Sequence, residues 1–270
     1  IRRGKNFKRR PFWTKRQIIV NRKPKTNNRK IICVVGPTAS GKSALAVQIA
    51  KKFNGEVISA DSRQVYKGMD IGTGKIKKKE MQGVPHHLLN IASPKNTFTV
   101  AQYKKRTLKT IDRILEKNKI PVICGGTGFY IQAVVDGIAI PEVSPNWKLR
   151  KKLEKKSTDD LYKILKKLDL RRAKIIDKKN QRRLIRAIEI VKTTKKPVPR
   201  FKLNPLSYPV LMIGIKNDKK KLNKLIEKRF QEWMQTGFIR EVKNLRKSGL
   251  SWKRLKEFGL HYQQAAEYLQ

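Results

Sequence analysis

Eight residues, Gly36-Pro37-Thr38-Ala39-Ser40-Gly41-Lys42-Ser43, constrain the fold more than any other stretch of the chain. They satisfy G-x-x-x-x-G-K-[ST] at every specified position, a spacing that works only with a strand before it and a helix after it. Both flanks comply. Ile31 to Val35 is an apolar run that reads as a buried strand, and Ala44 to Ala50 carries a helical pattern. The glycines let the backbone curl until consecutive N–H groups converge on phosphate oxygens. The helix N-terminus adds partial positive charge. Lys42 supplies a full charge, and Ser43 a hard oxygen suited to Mg2+. Such a loop asks for a polyphosphate or pyrophosphate and leaves open which molecule carries it.

The loop implies an α/β fold with a parallel sheet flanked by helices. Val57 and Ile58 read as a second strand, with Asp61 just past its end. Ile120 to Cys124 reads as another, ending in the sharp turn Gly125-Gly126-Thr127-Gly128. Ligands of parallel sheets bind at the carboxyl ends of the strands, so Asp61 and Thr127 are expected to face the same crevice as the phosphate loop. Thr127 can cap the following helix as well. Pro209 to Ile215 returns to a strand pattern. In the helix after it, Leu222, Leu225, Ile226, Phe230 and Trp233 form one stripe with Arg229 in its middle. A guanidinium there needs a partner, because burying an unpaired charge is very costly. That partner is an anion or backbone carbonyls; the anion is either a carboxylate in a buried salt bridge or a bound phosphate, and the clamp on phosphate is the reading favoured.

Between these strands the character changes. Prolines bracket residues 138–205, which hold helical patterns, no convincing strand, and 22 basic against 7 acidic residues. The segment reads as a helical insertion. In its helix around Arg182 to Val191, Leu184, Ala187, Ile188 and Val191 share one face, while Arg182, Arg183 and Arg186 gather on the other and suit phosphate contacts. The expected organisation is a basic disordered arm over 1–30, a core domain over 31–137 and 206–270, and the insertion over 138–205.

Charge supplies the partner class. Lys and Arg number 66 against 20 acidic residues, a formal net charge of +46. Nucleic acid is the first candidate for so basic a chain, although a merely solvated lysine-rich surface has the same composition. Cys33 and Cys124 lie in apolar runs and read as small buried hydrophobes. His86 and His87 are adjacent on a strand, so they point to opposite faces and make poor joint metal ligands. No apolar run approaches the roughly 18–20 residues of a membrane span, and Ile18-Ile19-Val20 is too short for a signal peptide. A cytoplasmic monomer without membrane contact is expected. The opening at Ile1 and the uncapped stop at Gln270 suggest a piece of a longer chain.

These stretches together resemble the bacterial tRNA dimethylallyltransferases. The likeness rests on the phosphate loop, on Asp61-Ser62, on Tyr66-Lys67-Gly68-Met69-Asp70-Ile71-Gly72-Thr73 with Lys75, and on Pro85-His86-His87. It continues through Gly125-Gly126-Thr127 with Tyr130, Arg186-Ala187-Ile188-Glu189 and Arg229-Phe230, and so runs from about Ile31 to Gln270. Where many members place Tyr and then Arg or Lys after a glycine, this chain has Gly259-Leu260-His261-Tyr262-Gln263. The resemblance implies a P-loop NTPase-like core carrying an all-helical tRNA-binding insertion. It implies transfer of a dimethylallyl group from dimethylallyl diphosphate to the exocyclic amine of the adenosine 3′ of the anticodon. Gly36 to Ser43 would then hold the diphosphate, with Ser43 on Mg2+. Asp61, Thr127 and Arg229 would be catalytic. Asp61, Ser62, Arg63, Gln64, Thr127, Arg150, Arg182, Arg183, Leu184, Ile185 and Arg186 would meet the anticodon arm of the tRNA. Two other readings compete: a P-loop kinase using ATP, which wants an acidic strand end for magnesium, and a non-catalytic RNA-binding protein.

Overall fold

The computed structural model describes residues 30–141, 143–200 and 203–270; the arm expected over residues 1–30 lies, except for Lys30, outside them. In chain order the elements are β1 (Ile31–Val35), α1 (Lys42–Lys52), β2 (Gly55–Ser59), α2 (Lys78–Met81), β3 (His86–His87), α3 (Val100–Glu116), β4 (Ile120–Gly125), α4 (Gly128–Val135), α5 (Trp147–Glu154), α6 (Thr158–Leu168), α7 (Leu170–Ile175), α8 (Gln181–Thr194), β5 (Val210–Gly214), α9 (Lys219–Gln235), α10 (Phe238–Lys247), α11 (Trp252–Lys256) and α12 (Leu260–Tyr268). They divide into two compact units, one running up to Val135 and resuming at Leu206, the other spanning Asp136–Pro205.

The first unit is built on a five-stranded sheet of order β3-β2-β4-β1-β5, parallel throughout. Every residue of β1 and of β2 is buried, which is why these strands read as continuous apolar runs rather than alternating ones. Alternation survives in what each side chain meets. Ile31, Cys33 and Val35 join Tyr103, Ile111 and Tyr130 on one face, whereas Ile32 and Val34 join Ala46, Val47 and Ala50 of α1 on the other. Helix α3 starts at a capping box in which Thr99 and Gln102 satisfy each other's amides. Helices α10 and α12 add Phe238, Val242 and Tyr262 to the larger cluster.

The stripe on α9 departs from expectation. None of its residues is buried, Ile226 and Phe230 are exposed, and only Trp233 packs against a core cluster. A helical period shows which side of a helix is apolar; it does not show whether anything covers that side.

The second unit is helical among its described residues. Leu153, Leu161, Leu165, Leu184, Ile185 and Ile188 lead its core. Asn146, Ser157, Asp169 and Asn180 each cap the helix that follows by accepting an amide of its first turn. The unit's two ends meet at Gly137, whose φ is +64° and where a Cβ would lie 1.6 Å from the Asn204 carbonyl oxygen; no other residue fits there. Among the described residues no helix is long and apolar enough to cross a membrane.

Candidate active site

Loops that follow β2, β4 and β1 lie side by side, because those strands are neighbours and all point the same way. The phosphate loop leaves β1 and turns into α1 at Gly41, which holds a left-handed φ of +85°. No side chain caps α1, so its first amides stay free for an anion. Ser40 Oγ is buried within the loop and has no hydrogen-bond partner. Lys42 Nζ donates back to the Pro37 carbonyl at 3.1 Å and lies close over Gly126 at the end of β4. Burial pulls the Lys42 ammonium below its ordinary range and the field of Arg229 pushes the same way, while Cys124 and Asp61 oppose them.

Asp61 folds an Asx turn. Its Oδ1 accepts from Arg63 N at 2.8 Å and from Gln64 N at 3.4 Å. Its Oδ2 accepts no hydrogen bond among the described residues, leaving half of the carboxylate for chemistry. Thr127 sits where α4 begins, and its carbonyl accepts from Tyr130 N and Ile131 N. Its hydroxyl does not cap that helix but accepts Ser62 N at 3.0 Å, tying the β4 loop to the β2 loop beside Asp61.

Arg229 reaches in from α9. Its Nη2 donates to the Gly74 carbonyl at 2.9 Å, and its guanidinium lies 5.1 Å from the Trp233 ring centroid. No carboxylate comes within salt-bridge distance among the described residues, so the partner found is the backbone carbonyl of Gly74 and not the buried ion pair weighed from the sequence. Desolvation weakens the charged form of Arg229, and the field of Asp61 helps to retain it. Lys42 and Arg229 thus present two poorly compensated cations to one crevice.

Lys75, part of the motif that carries the family resemblance, and Glu241, which the sequence did not mark out, hold the loop carrying Gly74. Lys75, buried, donates to the Tyr66 carbonyl, Asp70 Oδ1 and Asn90 Oδ1 at 2.6–2.8 Å. Glu241 on α10 accepts the amides of Asp70, Ile71 and Gly72, and the Tyr262 hydroxyl, at 2.7–3.1 Å. A signal did exist, since Glu241 shares the apolar face of Phe238, Val242 and Leu245 and an acid on such a face needs donors. Gln64 also serves this loop, donating to the carbonyls of Thr73 and Gly74 and accepting from Ser59. Ser62 and Arg63 are half-buried beside it.

The insertion's expected contacts need correction. Leu184 and Ile185 are 0% and 5% exposed and belong to the core of the second unit, so their side chains support α8 instead of presenting a surface. Arg186 does not line up with Arg182 and Arg183. It turns to Glu189, which is buried and also takes both guanidinium hydrogen bonds of Arg150 and the amide of Asn146. Arg182 and Arg183 are exposed.

Of the hydroxyls in the phosphate loop, the one on Ser43 lies in the first turn of α1 beside the Cys124 thiol, where the motif expects a metal. Among the described residues no group of three or more His, Cys, Asp or Glu side chains could hold a metal. A hard oxygen next to a phosphate cradle suits Mg2+, which keeps its waters and takes substrate phosphates. His87 is occupied elsewhere, paired with Glu56 at 2.7 Å.

Fold and site define a phosphate-loop α/β protein whose cradle faces a free carboxylate oxygen and an inward arginine. Its relatives narrow this further. The family model described as IPP transferase matches residues 64–270. A tRNA dimethylallyltransferase of Acetivibrio thermocellus is 40% identical over 247 residues, spanning 88% of this chain and 79% of the relative. One of Caldanaerobacter subterraneus is 41% identical over 251 residues, spanning 89% and 79%. The solved full-length tRNA isopentenylpyrophosphate transferase of Bacillus halodurans is 36% identical, with a TM-score of 0.63 over 90% of this chain and 78% of that one. A eukaryotic dimethylallyltransferase caught acting on tRNA is 27% identical, with a TM-score of 0.70 over 85% and 60%. The chain belongs to the IPP transferase family.

Proposed function

We propose that this chain transfers a dimethylallyl group from dimethylallyl diphosphate to the N6 amine of the tRNA adenosine immediately 3′ of the anticodon, releasing diphosphate. The observation that carries the reading is the pairing of Lys42 with a carboxylate-free Arg229 over an uncapped helix N-terminus. Such a site rewards charge that grows on a departing diphosphate. The names of the relatives supply the substrates.

In the reaction the allylic C–O bond breaks and its electron pair leaves with the diphosphate. The N6 lone pair forms the new C–N bond, and the N6 proton passes to Asp61. The free Oδ2 suits that base role, while Oδ1 holds the turn. Thr127 and Ser62 place the β4 and β2 loops so that the amine meets the prenyl carbon; for so weak a nucleophile, alignment supplies much of the rate. Ser43 would hold Mg2+, which would supply positive charge to the leaving diphosphate. The target base has to leave the anticodon stack to reach Asp61. The second unit, with exposed Arg182 and Arg183, grips RNA by its phosphates. The protein acts as a cytoplasmic monomer.

The test is mass spectrometry of unmodified tRNA incubated with Mg2+ and either dimethylallyl diphosphate or ATP. A single dimethylallyl adduct on that adenosine, formed without ATP, is the expected result. A product that depends on ATP hydrolysis restores the kinase reading, which already lacks a carboxylate where β4 ends in Gly125-Gly126-Thr127.

A further inference from the structure

Trp147 opens α5 and is 57% exposed, whereas Trp233 and Trp252 are partly covered. An indole left in water at the start of a helix gains little from folding. This one is nevertheless held still. The Arg150 guanidinium lies 5.2 Å from the ring centroid, and Glu189 clamps that guanidinium through Nε and Nη2 at 2.8 and 2.7 Å. Glu189 itself is 0% exposed. It also takes the amide of Asn146, whose side chain in turn caps α5. The residue before Trp147 and the cation against its ring are thus both pinned to one buried carboxylate.

We infer that Trp147 is a stacking platform for an unpaired base of the RNA. One ring face carries the cation, and the residue is still 57% exposed. A flat, pre-oriented aromatic binds a base with little loss of side-chain freedom. The surroundings select the partner. Lys148, Lys151 and Lys152 are exposed on the same helix, in a segment with 22 basic and 7 acidic residues. An occupant must offer both π faces and negative charge, which a single-stranded stretch of RNA does and a paired duplex does not. The inference rests on the RNA-binding part of the proposed function and adds a contact that phosphate recognition alone does not require.

Binding of an unmodified anticodon stem-loop RNA, and of a fully paired duplex of equal length, is measured over a range of salt for the wild type, Trp147→Ala and Trp147→Phe. Stem-loop affinity is expected to fall roughly 5- to 150-fold in Trp147→Ala and to be largely restored in Trp147→Phe, since base–aromatic stacking tolerates a change of ring. The salt slope should stay unchanged, because no phosphate contact is lost. Duplex binding should not move. Indole fluorescence of the wild type should be quenched by the stem-loop more than that of Trp147→Phe. Equal stem-loop binding by wild type and Trp147→Ala overturns the platform while leaving RNA recognition standing. A parallel loss on duplex, or capture of an acidic protein that competes with the stem-loop for Trp147, also overturns it. Failure of the wild type to bind either RNA overturns the functional reading together with the platform.

Discussion

Arg229 and Gly74 occupy each other's space. Arg229 Nη2 donates to the Gly74 carbonyl at 2.9 Å, and a Cβ on Gly74 would stand 1.6 Å from that same nitrogen. The clamp can lie over the crevice only because the loop opposite has no side chain there.

Gly74→Ala is therefore expected to act as an arginine mutation made from across the crevice. The left-handed φ of +55° adds strain of about 1–2 kcal/mol for a residue with a Cβ. Displacing Arg229 should lower kcat/KM for the prenyl diphosphate roughly 10²- to 10³-fold, as loss of one charge-stabilising donor does. Diphosphate-release kinetics on Gly74→Ala and Arg229→Ala should give similar losses. Normal turnover in Gly74→Ala would place the clamp elsewhere.

Asp61→Asn separates the two jobs of Asp61. The amide oxygen can still accept Arg63 N and Gln64 N, so the turn survives, but the base is gone. Turnover is expected to drop about 10²- to 10⁴-fold with RNA affinity unchanged. Single-turnover prenyl transfer alongside a binding titration reads both quantities; unaltered turnover removes Asp61 from proton transfer.

The insertion's arginines should sort into two kinds. Arg182→Ala and Arg183→Ala are expected to weaken RNA binding and each to reduce the salt slope by about 1. Arg186→Ala should instead destabilise the protein by about 1–3 kcal/mol, because it removes a charged hydrogen bond from buried Glu189. Salt titrations and thermal melts of the three variants distinguish these outcomes.

Glu189 also gives the second unit an acid limit. Burial alone would push its carboxyl up, but hydrogen bonds from Arg150, Arg186 and Asn146 outweigh that and hold it below the ordinary 4.5. Its folded value lies below its unfolded one, so its stabilisation is complete above about pH 4.5 and drains away as the pH falls through the folded value. Melting temperature should hold between pH 7 and 5 and then decline. In Glu189→Gln the melt is expected to start lower and the acid decline to be shallower. An identical decline in both proteins would assign the limb to other carboxylates.

Glu241→Gln tests the support of the Gly74 loop. A carboxylate accepts three amides and a hydroxyl there, whereas a glutamine would turn N–H toward N–H. Hydrogen exchange at Asp70, Ile71 and Gly72 should accelerate, and turnover should fall about tenfold or more as Arg229 loses its seat. Unchanged exchange at those amides would contradict the role.

What could be read from the sequence followed the range of each interaction. The phosphate loop, Asp61 and Thr127 were legible because short spacings on parallel strands dictate which end of the sheet they share. The order of the strands was not, since β1 pairs with β5 in a register that joins Ile31 to Val210, 179 residues away. Glu241 was missed, and Lys75 was named only as part of a motif without its role, because their partners come from remote or irregular backbone that no periodicity encodes. On α9 the pattern gave the apolar side correctly and its burial wrongly. On α8 it placed Leu184 in the core, and the contact role drawn from the resemblance gave way to that packing.

Gly36 packs against Ile215, just past β5, and β1 takes β5 as one of its two neighbours. On the ribosome, the loop motif is therefore complete after Ser43, while the wall behind it arrives more than 170 residues later, after the whole second unit has emerged. Domains generally fold as they are synthesised, so a nascent chain passes through a stage in which the second unit, Asp136–Pro205, is free to fold while the cradle is still half built. Up to that moment the growing chain carries the phosphate signature without its grip. Acquisition of that grip is a late event in the protein's own synthesis.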